Sequence, residues 1–194
     1  MPRHPDPKLE DRILHAARRL WTKGGEKALT MRAVAQAAGT NTPAVYRRFR
    51  DRHDILRRLL LRIRQDFTDV LENAPSPEQA CEQYLDFALS HPNEYELFHQ
   101  HGYEFLHKSR SGRESAQEAR PGVEAMKRKL AAKLGGSPDD YTRLALSLWA
   151  LGHGTAMLYI SRTILPEFEQ QTRSVFRAAV KLLLREHAQL SREN

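Results

Sequence analysis

Residues 30–49 read TMRAVAQAAGTNTPAVYRRF, and this stretch decides how the chain is to be understood. Thr30 is a good N-cap, and Met31, Val34, Ala35 and Ala38 recur behind it at helical spacing. Gly39 ends that short run. A chain that leaves a helix abruptly does so through a left-handed residue, and glycine takes that conformation without steric cost. Thr40 or Asn41 caps a second helix with Pro43 in its first turn, where a missing N–H costs little. Ala44, Val45, Tyr46 and Phe49 lie along this helix, and the small side chains of Ala35, Ala38 and Ala44 let the two helices cross closely. The pattern is a helix-turn-helix, whose second helix enters the major groove and offers its first residues to base edges. Those residues are Thr42, Ala44 and Arg47, with Thr40 and Asn41 just before them. Short helix pairs with glycine turns also occur in proteins that never touch DNA, so the charge pattern matters.

The formal net charge is +7, and it is unevenly placed. Residues 1–64 hold 16 Lys and Arg against 6 Asp and Glu, while the remainder holds 15 against 18. A basic head on a slightly acidic body fits a polyanion that meets the head alone. Arg47, Arg48, Arg50 and Arg52 cluster around the second helix of the motif, and cations on phosphates supply most sequence-independent affinity. The other reading of this cluster is a solvated basic face.

Working outward, helical periodicity continues and neither strand-like alternation nor an internal repeat is present. A first helix is predicted over 7–23, with Ile13, Leu14, Ala17, Leu20 and Trp21 on one face and Gly24-Gly25 as its stop. After the motif, a helix over 52–73 carries Ile55, Leu56, Leu59, Leu60, Ile63, Phe67, Val70 and Leu71, and Ala74-Pro75-Ser76-Pro77 breaks the chain. Further helices are predicted over 77–90 and 92–107. Residues 108–120, polar and serine-rich, read as a mobile loop or a frayed helix start. A helix with Val123, Met126, Leu130 and Leu134 then stops at Gly135-Gly136-Ser137-Pro138, and two long helices over 139–164 and 166–191 close the chain. The expected fold is all-α with about nine helices. Residues 1–54 form a three-helix head with the helix-turn-helix, and residues 55–194 form a larger helical domain for ligand sensing and dimerisation.

Ile13-Leu14 with Ala16-Ala17, Leu20-Trp21, Gly25, Leu29-Thr30, Val34-Ala35, Ala38-Gly39, Val45-Tyr46, Phe49, Arg52 and Ile55-Leu56 form one spaced set. Through it, the stretch from Arg12 to Leu56, about a quarter of the chain, resembles the DNA-binding domain of the TetR family. The resemblance implies that Thr30 caps its helix and meets a phosphate. It implies that Tyr46 touches phosphate, and that Arg52 grips the backbone where a lysine is usual. With Arg32, Thr40, Asn41, Thr42, Ala44, Arg47 and Arg48 these make the expected DNA-binding set. Pro43 and Arg48 depart from the family pattern, which puts the operator sequence in doubt more than the reading of one. The implied function is a transcriptional regulator, in the main a repressor, that binds a palindromic operator as a dimer and is released by a small molecule. Its two heads must stand about 34–36 Å apart, or a multiple, to reach successive turns of one groove face. The alternative is a helical DNA-binding protein controlled by a protein partner or by no effector.

For the body, Phe67, Tyr84, Phe87, Phe98, His101, Tyr103, Phe105, Trp149, His153 and Met157 are candidate ligand contacts, since aromatic walls with a few polar groups suit small apolar or aromatic effectors. The plainer reading of each is a core residue. Trp149, His153 and Gly154 resemble a W-x-x-x-H-G signature of one TetR C-terminal subgroup. Leu148, Leu151, Val175, Ala179, Leu182 and Leu183 are candidates for the dimer interface, or else face their own core.

Other chemistries find less support. Glu96-x-x-His99 and Glu104-x-x-His107 lie on one helix, whereas di-iron bundles draw such pairs from facing helices, so no metal is expected. No nucleophile elbow, phosphate loop, zincin motif or Cys-x-x-Cys pair is present, and the chain is not expected to be an enzyme or to carry a cofactor. The lone Cys81 fits a reducing compartment and a structural thiol. Residues 1–10 lack the apolar run of a secretory leader, and the uncharged run Leu144–Ser161 holds too many polar residues for a membrane span. A cytoplasmic protein is expected.

Overall fold

The computed structural model describes residues 8–107 and 121–190, with side chains placed for 8–99 and 121–187. Among these residues there are nine α-helices and no strand: α1 Leu9–Ala28, α2 Met31–Ala37, α3 Thr42–Tyr46, α4 Arg52–Asn73, α5 Pro77–Ser90, α6 Pro92–His107, α7 Pro121–Leu134, α8 Thr142–Ile160 and α9 Glu169–Leu190. Short 3₁₀ turns over Pro138–Tyr141 and Pro166–Phe168 lead into α8 and α9. The all-helical architecture expected from periodicity is the one found.

Several boundaries differ from the sequence reading, among them the start of α9, which a 3₁₀ turn over Pro166–Phe168 delays to Glu169. The glycine pair kinks α1 and does not stop it: Gly25 sits at φ 57, and the chain re-forms a turn at once, closed by the Leu29 N–H on the Glu26 carbonyl at 3.2 Å. Ser137 and Asp140 form a reciprocal capping box over the Pro138–Tyr141 turn, which delays α8 to Thr142. At its far end α8 stops at Ile160, because Arg162 takes a left-handed φ of 55. Residues 108–120, expected as a loop or frayed helix, lie outside the described residues.

The chain divides into two compact units, and the division falls inside α4 between Arg64 and Gln65. The first unit contains α1–α3, the beginning of α4 and α6 from Asn93. Ile13, Leu29, Val34, Val45, Phe49, Ile55 and Leu60 are fully buried in it. Each such side chain contributes about 1.5–3 kcal/mol by leaving water. Polar groups join α6 to α1. The Trp21 indole N–H donates to the Asn93 carbonyl at 2.7 Å, and the Asn93 amide donates to the Thr22 carbonyl at 2.6 Å. Glu94, 3 % exposed, accepts from Arg18 Nε at 2.9 Å and Nη2 at 2.7 Å.

The second unit contains α4 from Gln65 with α5, α7, α8 and α9. Its buried residues include Leu71, Leu85, Ala88, Leu130, Leu148, Ala156, Phe176 and Val180. Helix α5 packs on α7, α8 and α9. Lys129 of α7 donates to the carbonyls of Glu72 at 2.7 Å and Ala74 at 2.5 Å, capping the end of α4. Arg177 of α9 holds Glu82 of α5 through two bonds of 2.9 and 3.0 Å.

Candidate functional site

In the first unit the helix-turn-helix is built by its caps. Thr30 Oγ1 accepts from the Ala33 N–H at 3.1 Å and starts α2, leaving the hydroxyl proton to donate elsewhere. Asn41 Oδ1 accepts from the Ala44 N–H at 2.9 Å and starts α3, so Asn41 and not Thr40 is the cap. Between them Gly39 stands at φ 64, with its N–H on the Gln36 carbonyl at 3.2 Å and the Thr40 N–H on the Ala35 carbonyl at 2.9 Å. This is the Schellman closure of a helix, and it turns the chain within three residues.

The outward face of the motif carries Thr30, Arg32, Asn41, Tyr46 and Arg47, all exposed, with Thr40 and Thr42 half-buried. Tyr46 is 54 % exposed, which leaves its ring and hydroxyl open to solvent. Ala44 is buried beside Val45, and its methyl packs into the head. Ala44 therefore supports the crossing of α2 and α3 and is not presented outward. Arg48 is half-buried.

Several arginines of this unit are paired with carboxylates. Arg18, Arg57, Arg58 and Arg62 pair with Glu94, Asp54, Glu10 and Asp11. Arg52, at the start of α4, pairs with Glu26, which lies just beyond the α1 kink. Arg32 and Arg47, exposed on the outward face of the motif, make no ion pair among the described residues. Arg50 beside it is open to solvent and reaches only Asp51, at 3.5 Å. The compensating role of Glu26 was not legible beforehand, since nothing in the sequence links residues 26 and 52.

In the second unit the aromatic candidates converge. The ring of Phe67 stands 5.1 Å from those of Tyr84 and Phe87, and Phe87 stacks on His91 at 4.9 Å. Gly152 of α8 lets this cluster form: a β-carbon there would come within 3.2 Å of the Tyr84 ring. On the same helix, one turn apart, Trp149 and His153 stack at 5.6 Å and 13°. Burial holds the His153 imidazole below its ordinary pKa, favouring the neutral ring. Met157 is half-buried on the same helix. Phe98 belongs to the first unit and lies edge-on to His99 at 5.2 Å. His101, Tyr103 and Phe105, with Glu104 and His107 of the metal reading, lie outside the described side chains.

Cys81 is buried on α5, and its thiol is pushed up to about 12, first by burial and then by Glu78 and Glu82. Among the described residues no three metal-binding side chains converge. No described helix is long and apolar enough to cross a membrane. On α9, Val175 and Leu182 are 61 % and 55 % exposed, and Ala179 lies half-buried between them on one stripe. Leu151 and Leu183 are half-buried. Leu148, 2 % exposed, belongs to the core of its own unit.

Comparison with known proteins places these features. The family described as bacterial regulatory proteins, tetR family, matches residues 13–59, and the tetracyclin repressor-like C-terminal domain matches residues 78–183. No curated protein sequence matches the chain. Several solved structures share the fold. The multidrug binding protein EbrR, solved with imidazole, is 22 % identical at a TM-score of 0.65, over 94 % of this chain and 93 % of its own. A TetR regulator from Streptomyces coelicolor is 19 % identical at 0.66, over 93 % and 98 %. A TetR variant from Acinetobacter baumannii AYE, in complex with minocycline, is 16 % identical at 0.60, over 92 % and 95 %.

Proposed function

This chain belongs to the TetR family of bacterial regulatory proteins, and from that premise we propose that it is a cytoplasmic repressor that binds a palindromic operator as a dimer and leaves it when a small molecule enters the body. The observation that carries the reading is the outward face of the helix-turn-helix. It carries the exposed Arg32 and Arg47, neither in an ion pair among the described residues, and the exposed Tyr46, while Ala44 and Val45 of α3 are buried in the head. Arg47 reads a base edge, Tyr46 and Thr30 donate to phosphates, and Arg52 exchanges Glu26 for the backbone.

The body supplies the effector site and the dimer contact. The Phe67, Tyr84 and Phe87 cluster with Trp149 and His153 offers aromatic walls and a neutral imidazole, which suits an apolar or aromatic ligand. That two proteins of the same fold are described with imidazole and with minocycline supports a small-molecule effector. Val175, Ala179 and Leu182 form an apolar stripe on α9 that a second copy would cover about a two-fold axis. A ligand acts by moving α4, because a small change in the separation of two heads loses one of two half-sites.

The test is selection of bound duplexes from a random pool at two salt concentrations. A palindromic motif with steep salt dependence is expected, and it provides the probe for screening ligands by release. Recovery of no motif would refute operator reading. A motif whose binding no ligand releases would leave a DNA-binding protein without an effector.

A further inference from the structure

Two helices of this protein close with the same hydrogen bonds but not with the same residue. Helix α2 ends in a Schellman motif whose left-handed position is Gly39. Helix α8 ends with the Arg162 N–H on the Tyr159 carbonyl at 3.0 Å and the Thr163 N–H on the Leu158 carbonyl at 3.1 Å, the same pattern, with Arg162 at φ 55. A β-carbon in that conformation crowds the following carbonyl, so glycine is the more stable choice. Arg162 is the one non-glycine residue with positive φ among the described residues. At Arg162 an arginine stands where glycine would be less strained.

Arg162 lines a cleft of about 640 Å³ in the second unit, formed by the ends of α5 and α8 and the start of α9. That volume lies within the ordinary range for small-molecule sites. Leu89, Ile160 and Pro166 supply apolar surface. The walls are held in place: the Tyr159 hydroxyl donates to the Glu169 carbonyl, and Arg173 is bound by Glu82 at 3.1 Å and by Asp86. The charge of Arg173 is thereby committed within the fold. Arg162 makes no ion pair among the described residues and is the cation left to a ligand. Glu169, also on the lining, repels anions in proportion to their charge and so favours a monoanion over a dianion. None of these residues belongs to the Phe67, Tyr84 and Phe87 cluster.

We propose that this cleft binds an amphipathic monocarboxylate, with its apolar body on Leu89, Ile160 and Pro166 and its carboxylate on the Arg162 guanidinium. The planar, always-charged guanidinium accepts a carboxylate through two parallel bonds, while an alcohol of the same shape cannot make that pair. The site shares no lining residue with the effector cluster and does not depend on DNA binding.

The experiment titrates the full-length protein with 4-phenylbutyrate and, in parallel, with the uncharged 4-phenylbutanol, following methyl resonances of Ile160, Leu89 and Leu71. The acid is expected to bind at least about tenfold more tightly than the alcohol and to shift Ile160 and Leu89, leaving Leu71 beside Phe67 unmoved. Arg162→Gly is expected to lose about tenfold in affinity for the acid while raising Tm by about 2–4 °C, since glycine adopts this φ freely. Loss of binding with a rise in Tm separates the lost ligand contact from any damage to folding. Arg162→Lys should fall between the two. Equal binding of acid and alcohol, no binding of the acid, an unchanged affinity in Arg162→Gly, or shifts confined to Leu71 would each overturn the proposal.

Discussion

Glu26→Gln should make this protein bind DNA more tightly. Arg52 opens α4 and is proposed to grip the DNA backbone, yet in the free protein its guanidinium is paired with Glu26. Both side chains are partly open, 33 % for Arg52 and 53 % for Glu26, so the pair itself is worth about 0.2–1 kcal/mol. Binding DNA must break it and then leave a carboxylate near phosphates, which adds a repulsion of similar size in high dielectric. Removing the carboxylate abolishes both costs, roughly 1 kcal/mol per head, or about fivefold per head and up to about thirtyfold for a dimer. The salt dependence should change with it. The wild-type pair brings no net charge to the duplex, while the variant brings one cation per head, so log K against log salt should steepen by up to about 0.9 per head. Fluorescence anisotropy with a selected operator across a range of salt measures both quantities. Arg52→Met should erase the effect of Glu26→Gln when the two are combined, since the cycle isolates their coupling. Unchanged affinity and slope in Glu26→Gln, or the same gain in the Arg52→Met background, would refute the reasoning.

In the recognition helix, Arg47→Ala should relax base preference at one operator position, whereas Tyr46→Phe should weaken all duplexes about equally; competition among single-base variants of the operator separates the two. At the α1–α6 junction, Arg18→Met should cost more than Glu94→Gln. The first strands a carboxylate only 3 % exposed, about 3 kcal/mol, while the second leaves a partly exposed guanidinium that can turn to water, about 1–2 kcal/mol by urea unfolding. Cys81 should resist thiol reagents in the native protein at neutral pH and react at once when unfolded. Because its folded pKa is raised from 9.0 to about 12, its contribution to stability is complete below pH 9 and declines as pH rises toward 12, which alkaline denaturation of wild type against Cys81→Ala would reveal. Val175→Asp with Leu182→Asp should give a monomer of unchanged helicity by sedimentation, since both side chains are already exposed within one chain.

How much of this was legible beforehand depended on whether a feature is local. Thr30, Gly39 and Asn41 act on atoms within a few residues of themselves, and all three do what their types imply. The α4, α5 and α6 boundaries follow equally well, because prolines and caps bracket them in the chain. Rotational phase was less legible. Helix α3 has only the five residues Thr42–Tyr46, too few for periodicity to say that Ala44 turns inward with Val45. Along α8 no residue from Leu144 to Ser161 is charged, so no polar stripe marks the outer face, and Leu148 as an interface residue could not be separated from Leu148 as core. In α9 the alternation of Arg173, Arg177 and Lys181 with Phe176, Val180 and Leu184 marks a phase, and Val175 and Leu182 fall outside the core as that phase requires. What the sequence withheld altogether were the pairings across distance: Glu26 with Arg52, Arg18 with Glu94, Gly152 against Tyr84. Each is a contact between groups that carry no mark of one another, and each adjusts the site more than it defines the fold. The helices could therefore be placed from the chain alone, while the pairing of Arg18 and Arg52 required the fold that brings their carboxylates to them.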